Sequence, residues 1–318
     1  MTATNDTQAL PDLAHWSRYW LAGARTSLPA DFSNNYDGEL AQFWHAQFVE
    51  LPKQARVLDM CCGNGPIAML AASHSLAHQA QWAITAVDAA DLNPEAVTRA
   101  WPNHAAELAE IAFRGGILAE SLPDFDASMH LITSQYGLEY CDLSRVAPRV
   151  WANLIPEGRL AMVSHAVSSE VLGTMQAEQR DYQLLDEAGV LRVLRSWQQN
   201  QLADADFVAR LHKVGRSLAA ERNRSALHGS VLQALSALMQ MPPSQRQHTR
   251  QQAGEYRAEL LAARQRAADL LAVMERVADE DWLQPLHQVG LKLLSTEAIQ
   301  YQGQHAVGVA RVWQRPTE

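Results

Sequence analysis

An acidic side chain set against a glycine turn can hold a small charged ligand. This sequence has one in Val57-Leu58-Asp59-Met60-Cys61-Cys62-Gly63-Asn64-Gly65-Pro66. The apolar run Arg56–Met60 reads as a short buried strand, and Pro66 suits the first turn of a following helix. Gly63 and Gly65 let the backbone turn sharply and approach a ligand with no Cβ in the way. A dinucleotide fingerprint asks for a third glycine three residues after Gly65, and the Ala68 found there is a permitted replacement. Asp59 argues against such a ligand, because its carboxylate would repel a pyrophosphate. The same carboxylate suits a cationic or amine-bearing group.

Other candidates stand at the ends of predicted strands. Asp88 directly follows the run Trp82–Val87, with Asp91 and Leu92 shortly after. Tyr136 and Glu139 follow Met129–Ser134, and His165 follows Arg159–Ser164. A histidine in that place can act as a general base near neutral pH, or it can be a strand-end residue satisfied by its neighbours. Glu139 and Tyr136 are comparable candidates for proton transfer. The three cysteines are Cys61, Cys62 and Cys141. No cationic residue adjoins Cys61 or Cys62 in sequence to activate a thiolate, so both read as packing and turn residues. No CxxC pairs with a histidine cluster, so no metal site is expected.

Strand-like and helix-like pieces alternate across 55–165. The strands fall at Arg56–Met60, Trp82–Val87, Ile111–Arg114, Met129–Ser134 and Arg159–Ser164, and helices are predicted at Pro66–Ser75, from Pro94 and at Asp142–Asn153. That alternation predicts an α/β fold with a parallel sheet covered on both faces. From Glu170 to about Trp282 no strand is predicted; Val208, Leu211, Val214 and Leu218 recur at helical spacing, as do Leu260, Leu261, Leu270, Leu271 and Met274. Pro242 and Pro243 separate these runs into a helical hairpin or small bundle. Leu291–Tyr301 and Ala306–Gln314 flank a turn at 302–305 and predict a hairpin. The expected organisation is therefore an aromatic-rich N-terminal segment (1–50), a binding domain (51–168 with 286–318), and an all-α insertion (169–285) acting as lid, dimerisation element or both.

The stretch Asp59 to Gly65 resembles the first motif of class I S-adenosylmethionine-dependent methyltransferases, D-x-G-x-G-x-G, with Cys61 in place of its first glycine. The resemblance implies a Rossmann-like, seven-stranded, mostly parallel sheet with an antiparallel C-terminal hairpin. It places Asp59, Cys61, Gly63 and Gly65 beside the methionine end of the cofactor. Asp91-Leu92-Asn93-Pro94-Glu95 resembles the second-strand motif, whose acid takes both ribose hydroxyls. The motif favours Asp91, and Asp88 competes because a predicted strand ends just before it.

Phe113 to Leu118 resembles the third-strand motif, but Ile117 stands where the family often has an aspartate for the adenine amino group. That contact would pass to a backbone carbonyl or to Glu120 near Ile117 and Leu118. His130 to Tyr140 resembles the substrate-facing strand end, which puts Ser134 and Gln135 at the cofactor. Leu154 to Leu160 resembles the L-x-P-G-G-x-L turn, with Glu157 for one glycine. Tyr36 resembles a loop tyrosine that closes over the cofactor; otherwise it anchors the N-terminal segment. Trp16, Tyr19 and Trp20 form an aromatic cluster that either lines a pocket or simply packs. The resemblance covers about 50–168 and 286–315.

Composition sets the remaining bounds. The chain has 318 residues, 47% apolar and 19% charged, with a formal net charge of −9. The acidic balance argues against a nucleic-acid partner, since phosphate binding asks for a basic face. Met1–Leu13 lacks a signal pattern, and the longest apolar runs, such as Ile67–Ala72, are too short to cross a bilayer, so a cytoplasmic protein is expected. The expected activity is methyl transfer from S-adenosylmethionine to an O, N or C nucleophile of a small, partly apolar molecule. The rivals are a cofactor-binding regulator without turnover, a nicotinamide-dependent oxidoreductase and an RNA methyltransferase.

Overall fold

In the computed structural model, which describes residues 13–28, 32, 34–221, 225–303 and 305–317, the apolar runs of the sequence become the strands of one sheet. The chain divides into two units, 1–166 with 273–318, and 167–272. In the first, α1 (Ala14–Leu21) and α2 (Gly38–Val49) precede β1 (Arg56–Met60). Then come α3 (Pro66–Ala77), β2 (Ala83–Val87), α4 (Pro94–Ala100), α5 (Ala105–Ala109), β3 (Ile111–Arg114), β4 (Met129–Gln135), α6 (Leu143–Asn153) and β5 (Leu154–Ser164). The closing hairpin is β6 (Lys292–Tyr301) and β7 (His305–Gln314).

The seven strands lie in the order β3-β2-β1-β4-β5-β7-β6. β1 to β5 pair in parallel, while β7 runs antiparallel to both β5 and β6. This is the α/β, mostly parallel seven-stranded sheet with an antiparallel C-terminal hairpin that the sequence led us to expect. Side chains alternate between its faces. Val57, Leu131, Ala161 and Val163 pack with Ile67, Met69, Ala72, Trp44 and Phe48 on one face. Leu58, Met60, Ile132, Leu160 and Met162 pack with Leu143, Val146, Val150 and Leu286 on the other. Both faces of the parallel strands are thus covered, which explains why those strands read as unbroken apolar runs. Small residues of α3, Ala68, Ala71 and Ala72, are buried against the sheet.

Two expectations are corrected. β5 begins at Leu154, earlier than the predicted Arg159. The residues read as a turn before it belong to an irregular strand start, where the pairing with β4 shifts register between Met129 and Leu131 and Glu157 holds φ at 62°. The helical insertion was expected to reach 285, but residues 273–285 belong with the α/β unit.

The unit at 167–272 has a core of its own. It contains α7 (Ser169–Ala188), α8 (Val190–Gln198), α9 (Asp204–Ala219), α10 (Ala226–Gln240), α11 (Pro243–Gln247) and most of α12 (Arg250–Val277). The periodic run Val208–Leu218 lies on α9 and buries Leu211, Val214 and Leu218. Trp197 stacks on Phe207 at 4.2 Å, and the Arg250 guanidinium lies 3.6 Å from the Trp197 ring centroid while donating to its carbonyl. Among the described residues, no helix is long and apolar enough to cross a membrane.

Candidate active site at the carboxyl edge of the sheet

In a parallel sheet with covered faces, the carboxyl ends of the strands are where a ligand can reach backbone and side chains together. Asp59 lies near the end of β1 and is buried. Its Oδ1 accepts from Thr133 Oγ1 on the neighbouring β4 at 2.9 Å, and its Oδ2 accepts from the backbone N of Ala68 in the first turn of α3 at 3.2 Å. Burial pushes its carboxyl up to about 7, against the pull of those two hydrogen bonds.

The turn beyond it is built on left-handed residues: φ is 55° at Cys61, 52° at Gly63 and 77° at Gly65. Glycine is needed at 63 and 65 for a second reason. A Cβ on Gly63 would sit 2.5 Å from the Trp20 ring, and one on Gly65 2.6 Å from the Phe113 ring. Asn64 ties the turn to the N-terminal segment, donating to the carbonyls of Trp20 at 2.9 Å and Ala24 at 2.7 Å.

Asp88 follows β2 and grips this turn. Its Oδ2 accepts from Gly63 N at 2.7 Å and its Oδ1 from Ala90 N at 2.8 Å, while burial pushes its carboxyl above the usual range. Asp91, which the motif favoured, is exposed, and its backbone N donates to Ser17 Oγ at 2.9 Å. The strand end therefore locates the acid at the turn better than the motif does. Leu92 is half-buried behind Gly115, and Ile117 N donates to Asp88 O at 2.9 Å, so the loops after β2 and β3 form one wall. Ile117 and Leu118 are half-buried in that wall. Glu120 Oε1 accepts from Asp142 N at 2.9 Å.

At the end of β4, Gln135 Oε1 accepts from Trp44 Nε1 at 2.6 Å and its amide hydrogen-bonds the Tyr36 hydroxyl, while Ser134 Oγ is buried with no hydrogen-bond partner among the described residues. Just beyond, Glu139 is buried, and its Oε1 accepts from His165 N at 3.0 Å and from His165 Nδ1 at 2.8 Å. A carboxylate can only accept, so Nδ1 carries the hydrogen and Nε2 the lone pair. Glu139 Oε2 is buried without a hydrogen-bond partner among the described residues. Arg276 Nη1 fixes the turn by donating to the carbonyls of Glu139 at 2.9 Å and Cys141 at 3.1 Å.

Tyr136 lies just beyond the end of β4, beside His165. Its hydroxyl donates to the carbonyl of Val307 on β7 at 2.7 Å, while its ring packs 4.6 Å from His165. Tyr36 is buried, and its hydroxyl accepts from Ser27 N at 3.2 Å and lies 2.9 Å from Ser27 Oγ, the anchoring arrangement within the N-terminal segment. Trp16 meets Tyr140 edge-on at 5.5 Å, and Tyr140 lies 6.0 Å from His165. Sequence reasoning did not pick out Thr133, Asn64, Arg276 or the Trp20–Gly63 contact as parts of the site. Thr133 pairs in register with Asp59 across β1 and β4, a relation set by the sheet rather than by spacing in the chain.

No protein-family model matches the sequence, and no curated protein does. Several solved structures resemble the fold. The CMeT domain of a citrinin polyketide synthase is 18% identical over 41% of this chain and 34% of that one, with a TM-score of 0.34. Geranyl diphosphate C-methyltransferase from Streptomyces coelicolor A3(2), solved with S-adenosyl-L-homocysteine, is 12% identical over 72% and 94%, with a TM-score of 0.40. Phosphoethanolamine N-methyltransferase 2 from Haemonchus contortus is 13% identical over 98% and 59%, with a TM-score of 0.38. The chain thus spans 34% and 59% of the first and third of these. Likenesses this distant assign it no substrate and no reaction, and its own residues must carry the functional reading.

Proposed function

We propose that this chain is an S-adenosylmethionine-dependent methyltransferase acting on a small, partly apolar molecule with an O, N or C nucleophile. The observation that carries this is the pairing of two carboxylates on one glycine turn with a histidine–carboxylate pair at the same sheet edge. The residues present fit the cofactor. Asp59 suits its cationic amino end and Asp88 its ribose diol, the two carboxylates flanking the Gly63–Gly65 turn. Ser134 Oγ at the end of β4 is a buried hydrogen-bonding group with no partner among the described residues.

When bound, the cofactor supplies a methyl group already activated on a sulfonium. The chain's own residues position and desolvate the acceptor. His165 Nε2 takes the acceptor's proton, and Glu139 holds the ring and stabilises the imidazolium. The pair favours an acceptor that must lose a proton, a hydroxyl or a carbon acid. The rings of Tyr136, Tyr140 and Trp16 wall it with aromatic surface.

Calorimetric titration with S-adenosylhomocysteine, with NADH as control, tests this reading. Micromolar binding that is lost in Asp88→Ala is expected; a folded protein that binds neither ligand, or NADH alone, overturns it. Ile117 favours one second reading, a cofactor-binding regulator, which tight binding without turnover over a broad acceptor set would establish. The free thiols suit a reducing cytoplasm. In this reading the helical unit, 167–272, serves self-association, and light scattering on the full chain decides for or against a dimer.

A further inference from the structure

Cys61 Sγ and Cys141 Sγ lie 3.7 Å apart beside the glycine turn, and both thiols are free. Cys61 holds φ at 55°, a left-handed conformation that disfavours any residue with a Cβ. A strained side chain retained where glycine would sit easily points to a use for that side chain. The facing turn is shaped to receive it. A Cβ on Gly137 would lie 2.3 Å from Cys61 Cβ and 3.2 Å from its Sγ, so only glycine at 137 lets the Cys61 side chain cross to Cys141.

Cys141 is the reachable partner. It lines an open pocket of about 400 Å³ with Tyr140, Asp142, Ser144 and Arg276, and its carbonyl accepts from the Arg276 guanidinium. The Cys141 sulfur is half-buried and lies 3.6 Å from the Gly137 carbonyl, so it stands between that carbonyl and Cys61. Hydrogen bonding to Cys141, with burial, pushes the Cys61 thiol well above its ordinary range, so Cys61 keeps its proton. Cys62 is buried and its Sγ donates to the Gly63 carbonyl, which leaves it out of reach.

We propose that Cys61 and Cys141 form a reversible dithiol–disulfide pair that closes on exposure to peroxide and weakens cofactor binding. Cys141 attacks one peroxide oxygen and becomes a sulfenic acid, releasing water. Cys61 sulfur then displaces the hydroxyl group, which leaves as a second water with the Cys61 proton, and the S–S bond forms. Two thiols and one peroxide give one disulfide and two waters; a dithiol reductant reverses the change. The sulfurs must close from 3.7 Å to about 2.05 Å, which shifts the turn whose Gly63 N is bound to Asp88. The effect on affinity rests on the cofactor reading above, whereas the cross-link itself does not.

The test treats the full chain with hydrogen peroxide, maps disulfides by mass spectrometry of a non-reducing digest, and titrates S-adenosylhomocysteine before, after and following dithiothreitol. We expect a Cys61–Cys141 linked peptide and roughly tenfold weaker binding, both reversed by the reductant. Cys141→Ser should give no linked peptide and no response to peroxide. Failure of the folded protein to form that peptide overturns the pair, and a linked protein with unchanged affinity overturns its control of binding. A reduced protein that never binds S-adenosylhomocysteine overturns the cofactor reading and the regulation together, while the peptide map still decides the cross-link.

Discussion

Glu139 Oε1 accepts two hydrogen bonds from the same residue, His165, one from its backbone N and one from Nδ1. The first fixes where β5 ends relative to the turn after β4; the second fixes which ring nitrogen is left basic. His165→Ala should therefore lower kcat by about 10²–10⁴-fold while the affinity for S-adenosylhomocysteine stays level. Glu139→Gln, which keeps the shape but offers a weaker acceptor, should lower kcat by at least about tenfold. Steady-state rates decide it, and an unchanged kcat in His165→Ala removes the base.

Asp59 couples the site to pH. Its carboxyl is raised from 3.8 to about 7, so the folded chain holds this proton to higher pH than the unfolded chain does. Its contribution to stability is fully present below about pH 4 and is lost as pH rises to 7. Asp59→Asn should be more stable than the natural chain at pH 8, on the order of 2 kcal/mol, with the difference shrinking toward pH 4. Urea denaturation at several pH values measures this; a gap that does not vary with pH contradicts it. Binding of the cationic ligand should strengthen roughly tenfold from pH 6 to 8 in the natural chain and not in the variant.

Asp88 and Asp91 separate cleanly. Asp88→Ala removes the acceptor of Gly63 N as well as the proposed ribose contact, so binding of S-adenosylhomocysteine should fall by about 100-fold. Asp91 is exposed, and Asp91→Ala should change affinity by less than about threefold. The reverse order of effects would restore the assignment that the motif favoured.

Gly63→Ala meets two obstacles, the left-handed φ and the Trp20 ring. The first costs about 1–2 kcal/mol for a residue with a Cβ, and the clash adds to it. Replacing Trp20 by alanine in the same chain should return the steric part only. A double-mutant cycle by chemical denaturation that shows strict additivity would mean that the ring simply moves away.

What could be read from sequence was what is local. Arg56–Met60, the glycine turn and Pro66 are neighbours in the chain, so β1, its turn and the start of α3 were legible from apolar runs and backbone permissiveness. Asp88 was half-legible: the strand end pointed to it and the later Pro94 pulled attention to Asp91. The hydroxyl partner of Tyr136, the carbonyl of Val307, was not legible, because it lies 171 residues away. Arg276, which holds the Glu139 turn, is 137 residues from it and lies at the end of a helix whose periodicity says only that one face is buried. Pairings of this kind are decided by the topology of the sheet, and no spacing rule in the chain encodes them.

The place of β7 bears on how the protein is made. β5 is complete at Ser164, yet the partner that covers its free side pairs with it through Val309, 145 residues later. During synthesis the ribosome must deliver the whole helical unit before that strand edge is sealed. Until then an apolar β5 presents unpaired peptide groups, the template on which chains add to one another. Truncations that stop short of β7 should accordingly aggregate rather than fold to a smaller sheet, and growth temperature and chaperone supply should govern the yield of the full chain more strongly than its final stability does.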